Sequence, residues 1–209
     1  FGSVTFEDGI AQMFRWSASG SVHLASPYPG FANFVPTDTS ADGAVTVGNC
    51  VSSEVPLIVR PFQWTEHNGL ELLPVPEMTM AVALGVSGDG TIIVGHTLDR
   101  YYRIDLPVIW LGGKGPLPLA DYLTQSGVIG ADQWSLIEVS GISSDGHTIV
   151  GVGTNSHEGW QGFIATIPPR CAGDANRDET VDVGDVGAVL ANWSGFGPQG
   201  DANDDFSVD

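Results

Sequence analysis

Apolar and polar positions alternate in short runs along the first 167 residues, and the runs recur. One motif reads Ser-x-Asp-Gly, then an apolar stretch, then Gly. Ser40-Ala-Asp42-Gly43 leads to Val45-Thr-Val47-Gly48, Ser87-Gly-Asp89-Gly90 to Ile92-Ile-Val94-Gly95, and Ser143-Ser-Asp145-Gly146 to Thr148-Ile-Val150-Gly151. Asp-Gly between apolar runs marks a hairpin, because both residues tolerate positive φ. The β-branched runs that follow suit strands. A second motif alternates with the first: an apolar or aromatic residue, any residue, Trp, then a Gly turn and Leu. It occurs as Phe14-Arg-Trp16 with Gly20 and Leu24, Phe62-Gln-Trp64 with Gly69 and Leu72, and Val108-Ile-Trp110 with Gly115 and Leu117. A last copy, Phe163-Ile-Ala165, has lost the Trp. The Trp segment reads as one strand and the Gly-x-Leu segment as the next, so each repeat holds about four short strands.

A repeat of about 40–50 residues with four strands and a Trp is the pattern of a β-propeller blade. The expected fold is an all-β repeat region over residues 1–167, β-propeller-like, with about three and a half blades, since the first copy lacks its Ser-x-Asp-Gly half. Either a strand from later in the chain completes that first blade or blades precede Phe1, and the second reading is favoured. Two segments break the repeat: Leu117–Gln125 reads as a helical turn and Asn155–Trp160 as a surface loop. The repeats resemble the HAF-type repeats of bacterial extracellular proteins, which carry Val-Ser-x-Asp-Gly, Val-Val-Gly and Ala-Phe-x-Trp. That resemblance implies a propeller-like fold and no activity.

Composition changes past Pro168. Residues 1–170 carry a net charge of −10, and residues 171–209 carry −8 in less than a quarter of the length. With no basic patch, nucleic acid is excluded as a partner, and the acidic surface disfavours anionic lipid headgroups. No apolar run reaches the ~18 residues of a membrane span. Phe1 follows no charged leader, so no signal peptide is visible and the start reads as a cut within a longer protein.

The acidic segment has its own order. Asp174, Asn176, Asp178, Thr180, Asp182 and Asp185 occupy positions 1, 3, 5, 7, 9 and 12 of a loop. That spacing lets alternate side chains wrap a hard cation, which takes about six to eight oxygens. Four carboxylates so close together repel one another unless a cation sits among them. A second copy begins 27 residues later with Asp201, Asn203, Asp205, Ser207 and Asp209, and ends at position 9 as a half-site. Two features depart from the usual Ca²⁺ loop. Glu179 and Phe206 stand where a Gly is normal, costing about 1–2 kcal/mol if the turn holds positive φ. Asp185 replaces the longer Glu at position 12. Val186, Val189, Leu190 and Trp193 then fall on one helical face. The expected second unit, residues 173–209 after a 168–172 linker, is therefore a small α-helical EF-hand-like calcium-binding module.

This segment resembles a type I dockerin domain. The resemblance implies Ca²⁺ as the cofactor, a cohesin-like protein as partner, and carriage by proteins that work on polysaccharide. Positions 10 and 11 of the first loop are Val183 and Gly184 rather than the Ser-Thr pair of many dockerins. The residues' ligand role therefore carries over, and the standard partner does not follow. Weak Ca²⁺ modules work at the millimolar Ca²⁺ found outside cells, so the expected location is extracellular or at the cell surface.

Other candidate chemistry is sparse. Asp42, Asp89 and Asp145 sit in equivalent turns, where they would line one rim as cation or sugar ligands or tie the turns themselves. Trp16, Trp64 and Trp110 read as core between blades rather than sugar platforms, with Trp160, Tyr101 and Tyr102 the freer aromatic candidates. His23, His67, His96, His147 and His157 have no metal-ligand spacing, and Gly112-Gly113-Lys114-Gly115 is no phosphate loop. Cys50 and Cys171 pair only if the tail folds back. Asn192-Trp-Ser194 is a glycosylation sequon. No catalytic set is assignable. The functional reading is a secreted, non-catalytic repeat protein with a calcium-binding attachment module. The alternative is a polysaccharide-degrading glycoside hydrolase, which would need two rim carboxylates about 5–9.5 Å apart.

Overall fold

The structure, a computed structural model, describes residues 2–5, 11–16, 20, 22–24, 28–53, 57–77, 79–155 and 159–168. These residues form four antiparallel sheets whose strands follow one another in chain order. The first holds β1 (Gly2–Thr5), β2 (Ala11–Trp16) and β3 (Val22–Leu24). The second holds β4 (Phe31–Thr39), β5 (Val45–Ser52), β6 (Val59–Thr65) and β7 (Gly69–Leu72). The third holds β8 (Met80–Val86), β9 (Ile92–Leu98), β10 (Ile104–Leu111) and β11 (Leu117–Pro118). The last holds β12 (Trp134–Ile142), β13 (Thr148–Asn155) and β14 (Trp160–Thr166). A helix, α1 (Leu119–Gln125), and a 3-10 turn at Ala131–Gln133 separate the third sheet from the fourth.

The expected fold is corrected on two counts. The leading half-repeat is a sheet in its own right, because Gly2–Thr5 pairs with Ala11–Phe14 although it lacks the Ser-x-Asp-Gly motif. Four sheets of three, four, four and three strands therefore replace three and a half blades. The expected EF-hand-like helical module is not evident among the described residues either. The α-helix found among the described residues belongs to the repeat region, where Leu119, Tyr122 and Leu123 turn one face into the core. The segment read as a helix from Val186 to Trp193, and both acidic loops, lie outside the described residues.

The sheets stack face to face, each first strand lying on the sheet before it, so that β8 packs on β5 and β6, and β12 on β9 and β10. Three apolar clusters fill the successive interfaces. Met13 from the first sheet meets Phe34, Cys50, Phe62 and Trp64 from the second. Val47 meets Ala81, Ala83, Ile93, Val108 and Trp110. Ile92, Val94, Ile109 and Leu111, with α1, meet Val139, Ile149, Phe163 and Ala165. Burial records this layering. The third sheet is covered on both sides, and β9 is buried from Ile92 through Thr97. Among the described residues the fourth is covered on one side, and β14 alternates between buried and exposed.

The Gly that closes each apolar run has a steric cause. The first strand of each full repeat carries a bulge or register shift where it passes the second strand. That brings a carbonyl oxygen down onto Gly48, Gly95 or Gly151. A Cβ there would overlap the oxygen of Val35, Val82 or Glu138, respectively.

Candidate functional site

The three Ser-x-Asp-Gly turns are superimposable in their bonding. Each Ser N–H donates to the carbonyl across the loop at 2.8 Å, and each Gly N–H donates to the Ser carbonyl at 2.9 Å. The Gly residues take φ of 70°, 80° and 74°, so the motif needs a residue without Cβ strain there. The Ser hydroxyl closes the loop from inside. Ser40 Oγ donates to Asp42 Oδ1 at 2.7 Å and accepts from the Val45 amide at 2.9 Å. Ser87 and Ser143 do the same with Asp89 and Asp145, accepting from Ile92 and Thr148. Each Asp Oδ1 also accepts a backbone amide, from Ala44, Thr91 or His147.

These bonds set the acidity of the carboxyls. The Ala44 amide, then the Ser40 hydroxyl, hold Asp42 below the ordinary carboxylate value. The Ser143 hydroxyl and the His147 amide do so for Asp145. Burial pushes Asp89 up, but Ser87 and Thr91 more than offset it, and the net shift is downward. Asp89 Oδ2 accepts from Thr91 Oγ1 as well, at 2.9 Å. The three aspartates are thus turn ties, and backbone bonds run between neighbouring turns from Ala41 to Gly88 and from Gly88 to Ser144. They line one rim, as the repeat implied. Their inner oxygens are committed to the protein, and no group of three or more His, Cys, Asp or Glu converges among the described residues.

The other candidates divide by position. Trp64 and Trp110 are core, and the Trp110 indole donates to the Pro74 carbonyl at 2.9 Å. Trp16, read as core, is instead 61% exposed, because among the described residues no sheet covers its side of β2. It meets Phe14 edge-on, with ring centroids 4.2 Å apart. Trp160 is 73% exposed on β14. Tyr101 and Tyr102 sit in a turn tied by Asp99, which accepts from the amides of Tyr101 and Arg103 and pairs with the Arg103 guanidinium at 2.7 Å. The Tyr102 hydroxyl donates to the Leu57 carbonyl at 2.8 Å. Cys50 is a fully buried free thiol, pushed up to about 12 chiefly by burial. Its candidate partner Cys171 lies outside the described residues, as do Asn192, His157 and all eleven proposed ligands from Asp174 to Asp209. Most of the loop read between Asn155 and Trp160 does too.

Two features escaped sequence reading. His96 is buried with its Nδ1 unpartnered. Burial holds its pKa below the ordinary value, against an upward pull from Glu138. A cavity of about 190 Å³ lies along β14, lined by Leu123, Val128, Trp134, Phe163 and Ala165 among others. The missing Trp at position 165 was its only trace in the sequence.

Antiparallel strand repeats stacked in chain order define a β-propeller-like repeat protein. No protein-family model and no curated protein matches the sequence. Among solved structures the chain is similar to TolB from Acinetobacter baumannii, with 16% identity and a TM-score of 0.46 over 78% of this chain. The match spans 37% of that protein's length. No helix among the described residues is long and apolar enough to cross a membrane.

Proposed function

We propose that this chain is a secreted, non-catalytic repeat protein that binds Ca²⁺ through its acidic carboxy-terminal segment and is attached by it to a cohesin-type partner or a cell-surface assembly. The observation that carries the reading is the repeated ligand spacing: oxygen donors at positions 1, 3, 5, 7, 9 and 12 from Asp174 to Asp185, echoed from Asp201. Such hard-oxygen sets suit Ca²⁺. The dockerin resemblance supports the attachment role, Val183 and Gly184 set the partner apart from the standard one, and the repeats serve as the carried scaffold. Calorimetric titration of the chelator-treated chain with Ca²⁺ tests it. Saturable heat that is lost or weakened at least tenfold in Asp178→Ala is expected. Equal heats for both proteins, or none for either, would overturn the proposal.

A further inference from the structure

We infer that His96 makes the contact between the third and fourth sheets a pH-sensitive joint, closed while the ring is neutral and opened locally when the ring takes up a proton. The contact between the second and third sheets shows what such a joint looks like when it is tied. There Thr37 Oγ1 donates to the Ala83 carbonyl at 3.0 Å, and Asp38 Oδ2 accepts from the Val86 amide at 3.0 Å. Asn49 bonds both the amide and the carbonyl of Ala83.

Register finds the matching places one sheet on. In the second sheet Gly48 lies opposite Pro36 and Val47 opposite Asp38, with Thr37 bulged between. In the third, Gly95 lies opposite Ala83 and Val94 opposite Gly85, with Leu84 bulged between. Leu84 and Gly85 therefore stand where Thr37 and Asp38 do, and His96 stands where Asn49 does. The first two carry no polar side-chain group. At Gly85 close approach replaces bonding, since a Cβ there would lie 3.4 Å from the backbones of Gly141 and Ile142. His96 is 3% exposed, and its Nδ1 has no hydrogen-bond partner among the described residues. Gly88 N–H does donate to the Ser144 carbonyl, but in the turn that precedes β9, at the opposite end of that strand from His96.

An unpaired polar group in a dry interface costs free energy when neutral and far more when charged. The charges around the ring do not remove that cost. β8, β10 and β12 pack against β9. β8 carries no titratable side chain. The titratable residue of β10 is Asp105, which accepts from Thr97 Oγ1. That of β12 is Glu138. Glu138 favours the charged ring, yet burial outweighs it and the closed joint disfavours the proton. Opening wets the ring and returns it to its ordinary value of 6.5, so the open form takes up the proton first and acid drives opening. The surface laid bare is the apolar one between the sheets, Ile92, Val94 and Ile109 on one side and Val139 and Ile149 on the other. The joint between the second and third sheets, tied by Thr37, Asp38 and Asn49, has no such ring and stays closed.

Thiol labelling of the full chain tests this. Val139, fully buried at the joint, is changed by Val139→Cys, and Cys171→Ser removes the thiol of the carboxy-terminal segment. Cys50, buried between the first and second sheets, is the internal control. Labelling by 4,4′-dithiodipyridine, divided by the rate for glutathione at the same pH, should speed up several-fold at the introduced thiol between pH 7.5 and pH 5. It should stay level at Cys50. His96→Asn, which supplies the side chain of the tied joint, should remove the rise. Equal rises at both thiols, no rise at the introduced one, or a rise undiminished in His96→Asn would overturn the inference. Should Val139→Cys fail to fold, binding of the dye ANS to the otherwise unchanged chain decides. Its fluorescence should rise over the same range and stay flat in His96→Asn, and a flat signal in the parent or an equal rise in the variant would overturn the inference.

Discussion

Ser87 is buried, and its hydroxyl serves two partners at once: it donates to Asp89 and accepts from the Ile92 amide. Removing it leaves a buried amide without an acceptor, which costs about 1–3 kcal/mol. Ser87→Ala is therefore expected to lower the urea midpoint by that free energy with an unchanged slope, a result that equilibrium denaturation reads directly. The same tie recurs at Ser40 and Ser143. At this scale the sequence was legible, because a turn is a local object. Ser, Asp and Gly sit within four residues, and their side chains bond to backbone in the same loop. The exposed Trp16 marks the limit. Its motif is shared with Trp64 and Trp110, and only the absence of a covering sheet among the described residues makes it a surface residue.

Four strands per repeat were legible for the second and third sheets, while the first and last hold three described strands; the cause of the closing glycines was not legible. Gly95 looks like an ordinary punctuating residue after Val94. The structure shows the Val82 carbonyl lying where a Cβ would go, with Ala83 backbone close behind. Gly95→Ala must push β8 away from β9 in the middle of the molecule. The expected loss is about 1–3 kcal/mol, larger than at Gly115, where open space surrounds the position. Parallel thermal melts of the two alanine variants distinguish a packing cause from loss of glycine flexibility, since the latter would affect both alike. The bulges that create this close approach arise between strands and leave no signal of their own in the chain.

Across the whole molecule, equivalent positions do different work between different sheets. Asn49 reaches from β5 to the Ala83 backbone, its side chain bonding both the amide, at 2.8 Å, and the carbonyl, at 3.0 Å. His96 holds the matching place in β9 and has no such bond from Nδ1. Its ring is buried facing the fourth sheet, with Glu138 the charge that acts on it, and burial favours the neutral form. The unfolded chain takes up a proton near the ordinary value of 6.5, before the folded chain does. Stability from this group is full above that pH and falls as the pH drops through it. The lowered carboxyls of Asp42, Asp89 and Asp145 act in a separate window: their contribution is present above about 3.8 and is lost below it. Denaturation midpoints measured between pH 7.5 and 5 should decline for the parent chain and flatten in His96→Asn.

Sequence alone determined the repeat, its strand-forming runs, its Asp-Gly turns and the spacing of the acidic loops. All of these depend on residues within a few positions of one another, where backbone sterics and side-chain reach are decisive. Tertiary structure decided, among the described residues, which sheet faces are covered, which tryptophans are core and where His96 is buried with Nδ1 unpartnered. Those outcomes depend on how many sheets stack and on what each one meets. A residue's neighbours across an interface lie tens of positions away in the chain, 34 from Asn49 to Ala83 and 56 from Gly88 to Ser144, beyond the reach of any local pattern.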